Sequence, residues 1–187
     1  PADRKKVLLK WADLIEAQAL DLAVLGVRDN GTEIGMALKA EPLSAAATIR
    51  YYAEAIDKIG GEIAPTAEGI LGLVHREPAG VVAAIVPWNF PLMIGAWKLG
   101  PALAAGCSVV LKPAETASLT LVRIAELALE AGLPPGVLNV VCGEGAVVGD
   151  ALAHSMDVDV LVFTGSGPTG RRLLEAWWFL RGRLSIG

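Results

Sequence analysis

Between Val86 and Pro91 the chain reads VPWNFP, and the one uncharged amide side chain there, able to polarise a reacting carbonyl, is the carboxamide of Asn89. The run before it, with Val81, Val82, Ile85 and Val86, is short, apolar and β-branched, and Pro87 ends it, which predicts a buried strand. Pro91 suits the first turn of a helix running through Met93, Ile94, Trp97 and Leu103 to Gly106. A carboxamide held in such a strand-to-helix crossing can aim its N–H at a developing oxyanion, where a preorganised donor counts most. An Asn in this place also suits a helix cap, and the local sequence leaves both roles open.

Other residues able to bind or react come later in the chain. Lys112 and Glu115 close the segment LKPAE at 111–115. Gly143, Gly145 and Gly149 make G-x-G-x-x-x-G, whereas Gly165, Gly167 and Gly170 make G-x-G-x-x-G around Ser166. Cys107 opens an apolar run, as an inert core thiol does, and Cys142 stands beside a glycine turn with no histidine near it in sequence. The cysteines form no Cys-x-x-Cys and have no His at ligand spacing, so neither a disulfide framework nor a zinc or other metal site is expected. His75 falls in an extended segment and His154 at a helix end, where surface or capping roles are expected. The Trp177-Trp178-Phe179-Leu180 cluster reads as packing or an atypical tail rather than a stacking platform.

The elements that must position these groups divide the chain. In the first sixty residues Val7, Trp11, Leu14, Ile15, Leu22 and Leu25 form an apolar helical stripe that Asn30-Gly31 breaks. A second helix follows Pro42 and Ser44, with Ile49, Tyr52, Ala55, Ile56 and Ile59 as its buried face and Gly60-Gly61 as its end. Residues 62–77 carry no helical period and read as a hairpin or edge ribbon. From Gly80 the texture alternates: strands at 81–86, 108–111, 137–141 and 158–163, and helices at 91–105, 118–131 and 145–153, then 171–178. Alternation of this kind predicts an α/β fold, a doubly wound and mostly parallel sheet covered on both faces, preceded by a helical segment. The expected divisions are 1–61, helical; 62–79, an extended or hairpin connection; 80–175, a Rossmann-like nucleotide-binding core; and 176–187, an atypical tail.

Such sheets bind ligands at the carboxyl ends of their strands. Asn89, Lys112, Glu115, Gly145 and Ser166 all follow strand ends. A carboxylate after the second strand can accept from both adenosine ribose hydroxyls and repel a 2′-phosphate, so Glu115 favours NAD over NADP, unless the pair is an ordinary solvated loop. The G-x-G-x-x-G does not follow the first strand, and no acidic residue follows it at ribose spacing; Gly165 and Ser166 are therefore read as a phosphate-contacting turn rather than a standard fingerprint.

Sixteen basic and twenty acidic residues leave a net charge of −4 with no long basic cluster, which argues against nucleic acid as a partner. Apolar residues are 53% of the 187, and mean hydropathy is +0.51, so some apolar surface is expected to be covered by a second copy in a homo-oligomer or by further chain. Residues 78–97 lack charge over a bilayer-spanning length, but Pro87, Asn89 and Pro91 break any single helix there, and no membrane span is expected. Two cysteines and no visible signal peptide suit the cytoplasm.

Taken together, VPWNFP at 86–91, LKPAE at 111–115, EAGLPPGVLNVV at 130–141 and FTGS at 163–166 resemble the aldehyde dehydrogenase superfamily in order and spacing. IRYYAEAIDKIGGEIAPT at 49–66 and PLMIGAWKLGPALAAG at 91–106 look most like the branch containing γ-glutamyl-γ-aminobutyraldehyde and betaine-aldehyde-type dehydrogenases. The resemblance implies Asn89 as oxyanion donor and backbone around Ile85, Pro87 and Trp88 lining the cofactor cleft. It further implies Lys112 and Glu115 on the adenosine ribose, Gly145 and Gly149 beside the adenine, and Ser166 at the pyrophosphate. The family oxidises a small-molecule aldehyde to a carboxylic acid through a cysteine thiolate, hydride transfer to NAD, and a glutamate that activates water. The family's glutamate segment and its later cysteine motif do not occur in these 187 residues, and the similarity fades after Glu175. The resemblance thus implies a truncated nucleotide-binding portion with little or no activity alone. The alternatives are a non-catalytic, self-associating remnant and an esterase-like activity through Cys142.

Overall fold

The computed structural model describes residues 1–181, so residues 182–187 of the tail lie outside the described residues. Four parallel strands form the central sheet: β3 (Val81–Ile85), β4 (Ser108–Lys112), β5 (Leu138–Val140) and β6 (Val160–Phe163), in the order β5-β4-β3-β6. From β3 the chain winds outward to β4 and β5, then returns to place β6 on the other side of β3. This is the doubly wound topology, with its reversal between β3 and β6. Register aligns Ile85 with Lys112 and with Phe163, so these strands end level with one another.

Side chains alternate across the sheet as the period of two requires. Val82, Ala84, Val109, Leu111, Val160 and Val162 face one layer, formed by α5 (Pro91–Ala105) and α6 (Leu119–Ala131). Outside it pack α1 (Ala2–Ala17) and α4 (Pro42–Ala55), which bury Leu8, Trp11, Ile15 and Ile49. The Trp11 indole N–H donates to the Ile124 carbonyl at 2.8 Å and ties α1 to α6. Ile85, Leu161 and Phe163 face the opposite side, where α7 (Asp150–His154) contributes Ala153 and α8 (Gly167–Arg181) contributes Leu173.

The structure departs from the sequence reading at several points. The first stripe is two helices, α1 and α2 (Ala19–Asn30), divided at Gln18; Gly31 then ends α2 in the left-handed conformation. A further helix, α3 (Ile34–Ala40), was not anticipated. Its cap is Glu33, whose carboxylate accepts from the Gly35 and Met36 N–H groups, and glutamate is not a usual cap residue. Ile59 is 66% exposed rather than buried, because α4 ends at Ala55 and the chain turns away. The helix expected at 145–153 starts as a π-helical turn, Gly145–Gly149, before α7. Between the helical segment and the sheet, β1 (Glu62–Ala64) and β2 (Gly72–Val74) pair antiparallel as a separate ribbon.

Candidate functional site

Asn89 stands just past the carboxyl end of β3, exposed, one residue before the N-cap position of α5. Phe90 occupies that position and no side chain from this segment caps the helix, so the capping role considered for Asn89 is not what the geometry shows. Among the described residues the Asn89 carboxamide has no hydrogen-bond partner, and its donors stay available. Beside it Ile85 is buried, Pro87 is half-buried and Trp88 is 62% exposed.

Lys112 is the last residue of β4. Its side chain is 3% exposed, and its ammonium meets the Glu115 carboxylate at 3.0 Å. Glu115 itself is open to solvent. Its carboxyl is held below the ordinary glutamate range, first by its own backbone N–H, then by the Lys112 ammonium, with the Gly145 N–H adding to the effect. Gly145 lies close as well: a Cβ there would sit 3.8 Å from the Lys112 ammonium. The loop after β4 and the turn after β5 are thus joined by one buried cation and one ionised carboxylate.

From that junction a cavity of about 380 Å³ runs between the π-helical turn and α8, lined by Gly145, Ala146, Pro168, Thr169 and Leu173 and by the Asp150–Arg172 ion pair. Its size and mostly apolar walls suit a flat heteroaromatic ring, so the residues present fit a purine nucleotide. Gly149, the last residue of that turn, is buried near Ile85. At the cavity's other side the Ser166 hydroxyl pairs with the Thr169 hydroxyl at 2.9 Å and accepts from the Thr169 N–H at 3.4 Å, capping the start of α8. The serine read as a phosphate contact is therefore also the cap of the helix whose positive end faces the crevice. At Gly165 a Cβ would lie 2.5 Å from the tip of the Phe163 ring, so a side chain there requires that ring to move; above Gly167 there is open space.

The structure gathers Lys112, Glu115, Gly145, Gly149, Gly165 and Ser166 at one rim of the sheet, with Asn89 at the end of the neighbouring strand. The cysteines behave differently. Cys107 is buried at the amino end of β4, the far side of the sheet, and Cys142 is exposed after β5, two strand spacings, roughly 10 Å, from β3. Sequence reasoning missed Lys98, whose buried ammonium donates to the Thr164 hydroxyl at 2.7 Å, and Thr169. A lysine in an otherwise apolar helix was the available signal for the first.

A doubly wound α/β domain with its polar groups collected at the carboxyl rim is a nucleotide-binding class of fold. Residues 1–179 match the aldehyde dehydrogenase family, and the chain belongs to that family. It is 56% identical over 175 residues to the NADP/NAD-dependent aldehyde dehydrogenase PuuC of Escherichia coli (strain K12), covering 94% of this chain and 35% of that protein. Among solved structures it is similar to the γ-glutamyl-γ-aminobutyraldehyde dehydrogenase from Burkholderia cenocepacia J2315, with 51% identity and a TM-score of 0.91 over 93% of this chain and 35% of that one. It also resembles the NAD+ complex of an aldehyde dehydrogenase from Bacillus cereus, at 42% identity and a TM-score of 0.93, over 96% of this chain and 36% of that one. The chain therefore spans about a third of the length of the relatives it matches. Among the described residues, no helix is long and apolar enough to cross a membrane.

Proposed function

We propose that this chain is the nucleotide-holding part of an NAD-type aldehyde dehydrogenase, a family whose reaction turns an aldehyde into a carboxylic acid, and that these residues alone oxidise little or no aldehyde. The observation that carries the reading is the convergence of Lys112, Glu115 and Gly145 beside a purine-sized cavity. Glu115, kept ionised, accepts from the adenosine ribose hydroxyls, and Lys112 holds it in place. Its negative charge opposes a 2′-phosphate and favours NAD over NADP; that preference is one of degree, since the Escherichia coli relative is described as NADP/NAD-dependent. Gly145 and Gly149 flank the adenine, and Gly165, Ser166 and the start of α8 face the pyrophosphate. Backbone at Ile85, Pro87 and Trp88 walls the route towards Asn89. When bound, the nucleotide supplies the hydride acceptor. The Asn89 carboxamide donates to the substrate oxygen as it gains negative charge.

The expectation of inactivity is supported by where the thiols stand. Cys107 is buried at the wrong end of the sheet, and Cys142 lies across it from Asn89. Calorimetric titration with NAD tests the reading: weak but measurable binding is expected, lost or reduced in Glu115→Ala, and equal binding by both proteins would remove the ribose assignment. Robust NAD-dependent aldehyde turnover that vanished in Asn89→Ala would contradict the claim of inactivity.

We also propose self-association. On the ribbon Ile63 is 74% exposed, and Leu71 and Leu73 are each 71% exposed, an apolar strip that a second copy would cover. Light scattering checks this: a mass above 19.4 kDa supports it, and a monomer at all concentrations refutes it.

A further inference from the structure

Asn89 is braced on both sides by residues distant in sequence. On its amino side, the Asn30 carboxamide N–H donates to the Trp88 carbonyl at 3.0 Å. Asn30 is itself fixed, because its Oδ1 accepts from the Thr32 N–H at 3.0 Å and from the Thr32 hydroxyl at 2.7 Å. On its carboxyl side, Glu41 Oε2 accepts from the Met93 N–H at 2.8 Å, and the Glu41 carboxylate also takes the Leu92 N–H. Since α5 has Pro91 in its first turn and no cap from its own segment, Glu41 satisfies amides that would otherwise be orphaned.

This is a costly way to cap a helix. Glu41 is only 6% exposed, and taking a carboxylate out of water carries a penalty that a serine or aspartate at position 90 would avoid. What the distant cap adds is rigidity between elements: it fixes α5 against the α3–α4 junction, while Asn30 fixes the Trp88 carbonyl against the end of α2. The Asn89 side chain makes no hydrogen bond of its own among the described residues, so the backbone on either side fixes only the position from which it projects. A donor to an oxyanion works only when that position is set beforehand.

We propose that Asn30 and Glu41 are positioning residues for Asn89, together clamping the Trp88-to-Met93 backbone from which its carboxamide projects at the rim of the crevice. The functional meaning rests on Asn89 being the oxyanion donor; the clamp itself does not.

The test is nuclear magnetic resonance on the labelled 187-residue chain, comparing wild type with Asn30→Ala, Glu41→Ala and Glu41→Gln. In both alanine variants the heteronuclear NOE of Asn89 should fall and its 13Cα and 13Cβ shifts move towards random-coil values. Asn139, held on β5 by the Gly136 carbonyl at 2.8 Å, should not change. Exchange of the Met93 amide in Glu41→Ala should quicken about tenfold, the scale expected for losing a hydrogen bond to a charged group. Glu41→Gln keeps an acceptor oxygen and should restore most of the order at Asn89. Unchanged Asn89 shifts and NOE in the alanine variants, even with faster Met93 exchange, would reduce Glu41 to an ordinary cap and overturn the proposal. If Glu41→Ala does not fold, Asn30→Ala and Glu41→Gln decide it. Failure of NAD to bind would count against the functional reading and leave these Asn89 signals as they are, so the two failures are distinguishable.

Discussion

Lys98 is 8% exposed on α5, and its ammonium donates to the Thr164 hydroxyl with no ion pair among the described residues. Burial pushes its pKa below the ordinary lysine value. Replacing it by Met keeps the volume and most of the packing, abolishes a desolvation cost of several kcal/mol, and forfeits one charge-assisted hydrogen bond of about 1.5–3 kcal/mol. The balance is a gain of about 1 kcal/mol, which for a domain of this size raises the melting temperature by roughly 2–4 °C. The sign with pH follows from proton binding. Between the lowered folded-state pKa and the ordinary value, the unfolded chain holds more protons, so wild-type stability rises with pH in that window. The advantage of Lys98→Met is therefore full below that window and shrinks as pH rises through it. The same bond steadies the turn that leads into Gly165 and Ser166, so the more stable variant should bind NAD less well. Scanning calorimetry at several pH values checks the stability, and NAD titration checks the binding. A lower melting temperature in Lys98→Met at neutral pH would refute the reasoning, because it would mean that the ammonium stabilises the fold.

Glu115→Gln should weaken NAD about tenfold, the loss of about 1.4 kcal/mol in charge-assisted bonding, and narrow the preference over NADP; paired calorimetric titrations with the two nucleotides measure it. Gly80→Ala should cost about 3 kcal/mol or more, because Gly80 has φ +116° and a Cβ there would lie 2.0 Å from the Asp159 carboxylate that accepts from the Val81 N–H. Gly31→Ala, at φ +76° with open space around it, should cost only about 1 kcal/mol; urea midpoints compare the two. Leu99→Ala, at a fully buried position, should lose about 2–5 kcal/mol by the same measurement.

What could be read from the sequence was local. The bounds of α5 coincide with the expected 91–105, because Pro91 starts it and Gly106, at φ +94°, ends it. The four strands of the core were likewise visible as apolar runs bounded by turn residues, and their ends named the crevice. What escaped was non-local. Asp29 accepts from the Leu119 N–H at 2.7 Å and Glu41 caps α5, so the amides of two core helices are satisfied from the helical segment, which no window along the chain reveals. Ile59 and α3 were misjudged for the complementary reason: an apolar residue at helical spacing stays exposed where the chain has already turned, and a short helix with a glutamate cap carries little periodic signal. Glu115 and Gly145 were each identified, but only folding shows that they meet at Lys112.

The most direct test of the account is to titrate the 15N-labelled chain with NAD and follow the backbone amides. Shifts concentrated at Trp88, residues 112–115, Gly145–Gly149 and residues 165–169 are predicted. No shift at saturating nucleotide, or shifts gathered on the β1–β2 ribbon or at the amino ends of the strands, would contradict the claim that this carboxyl rim holds the nucleotide.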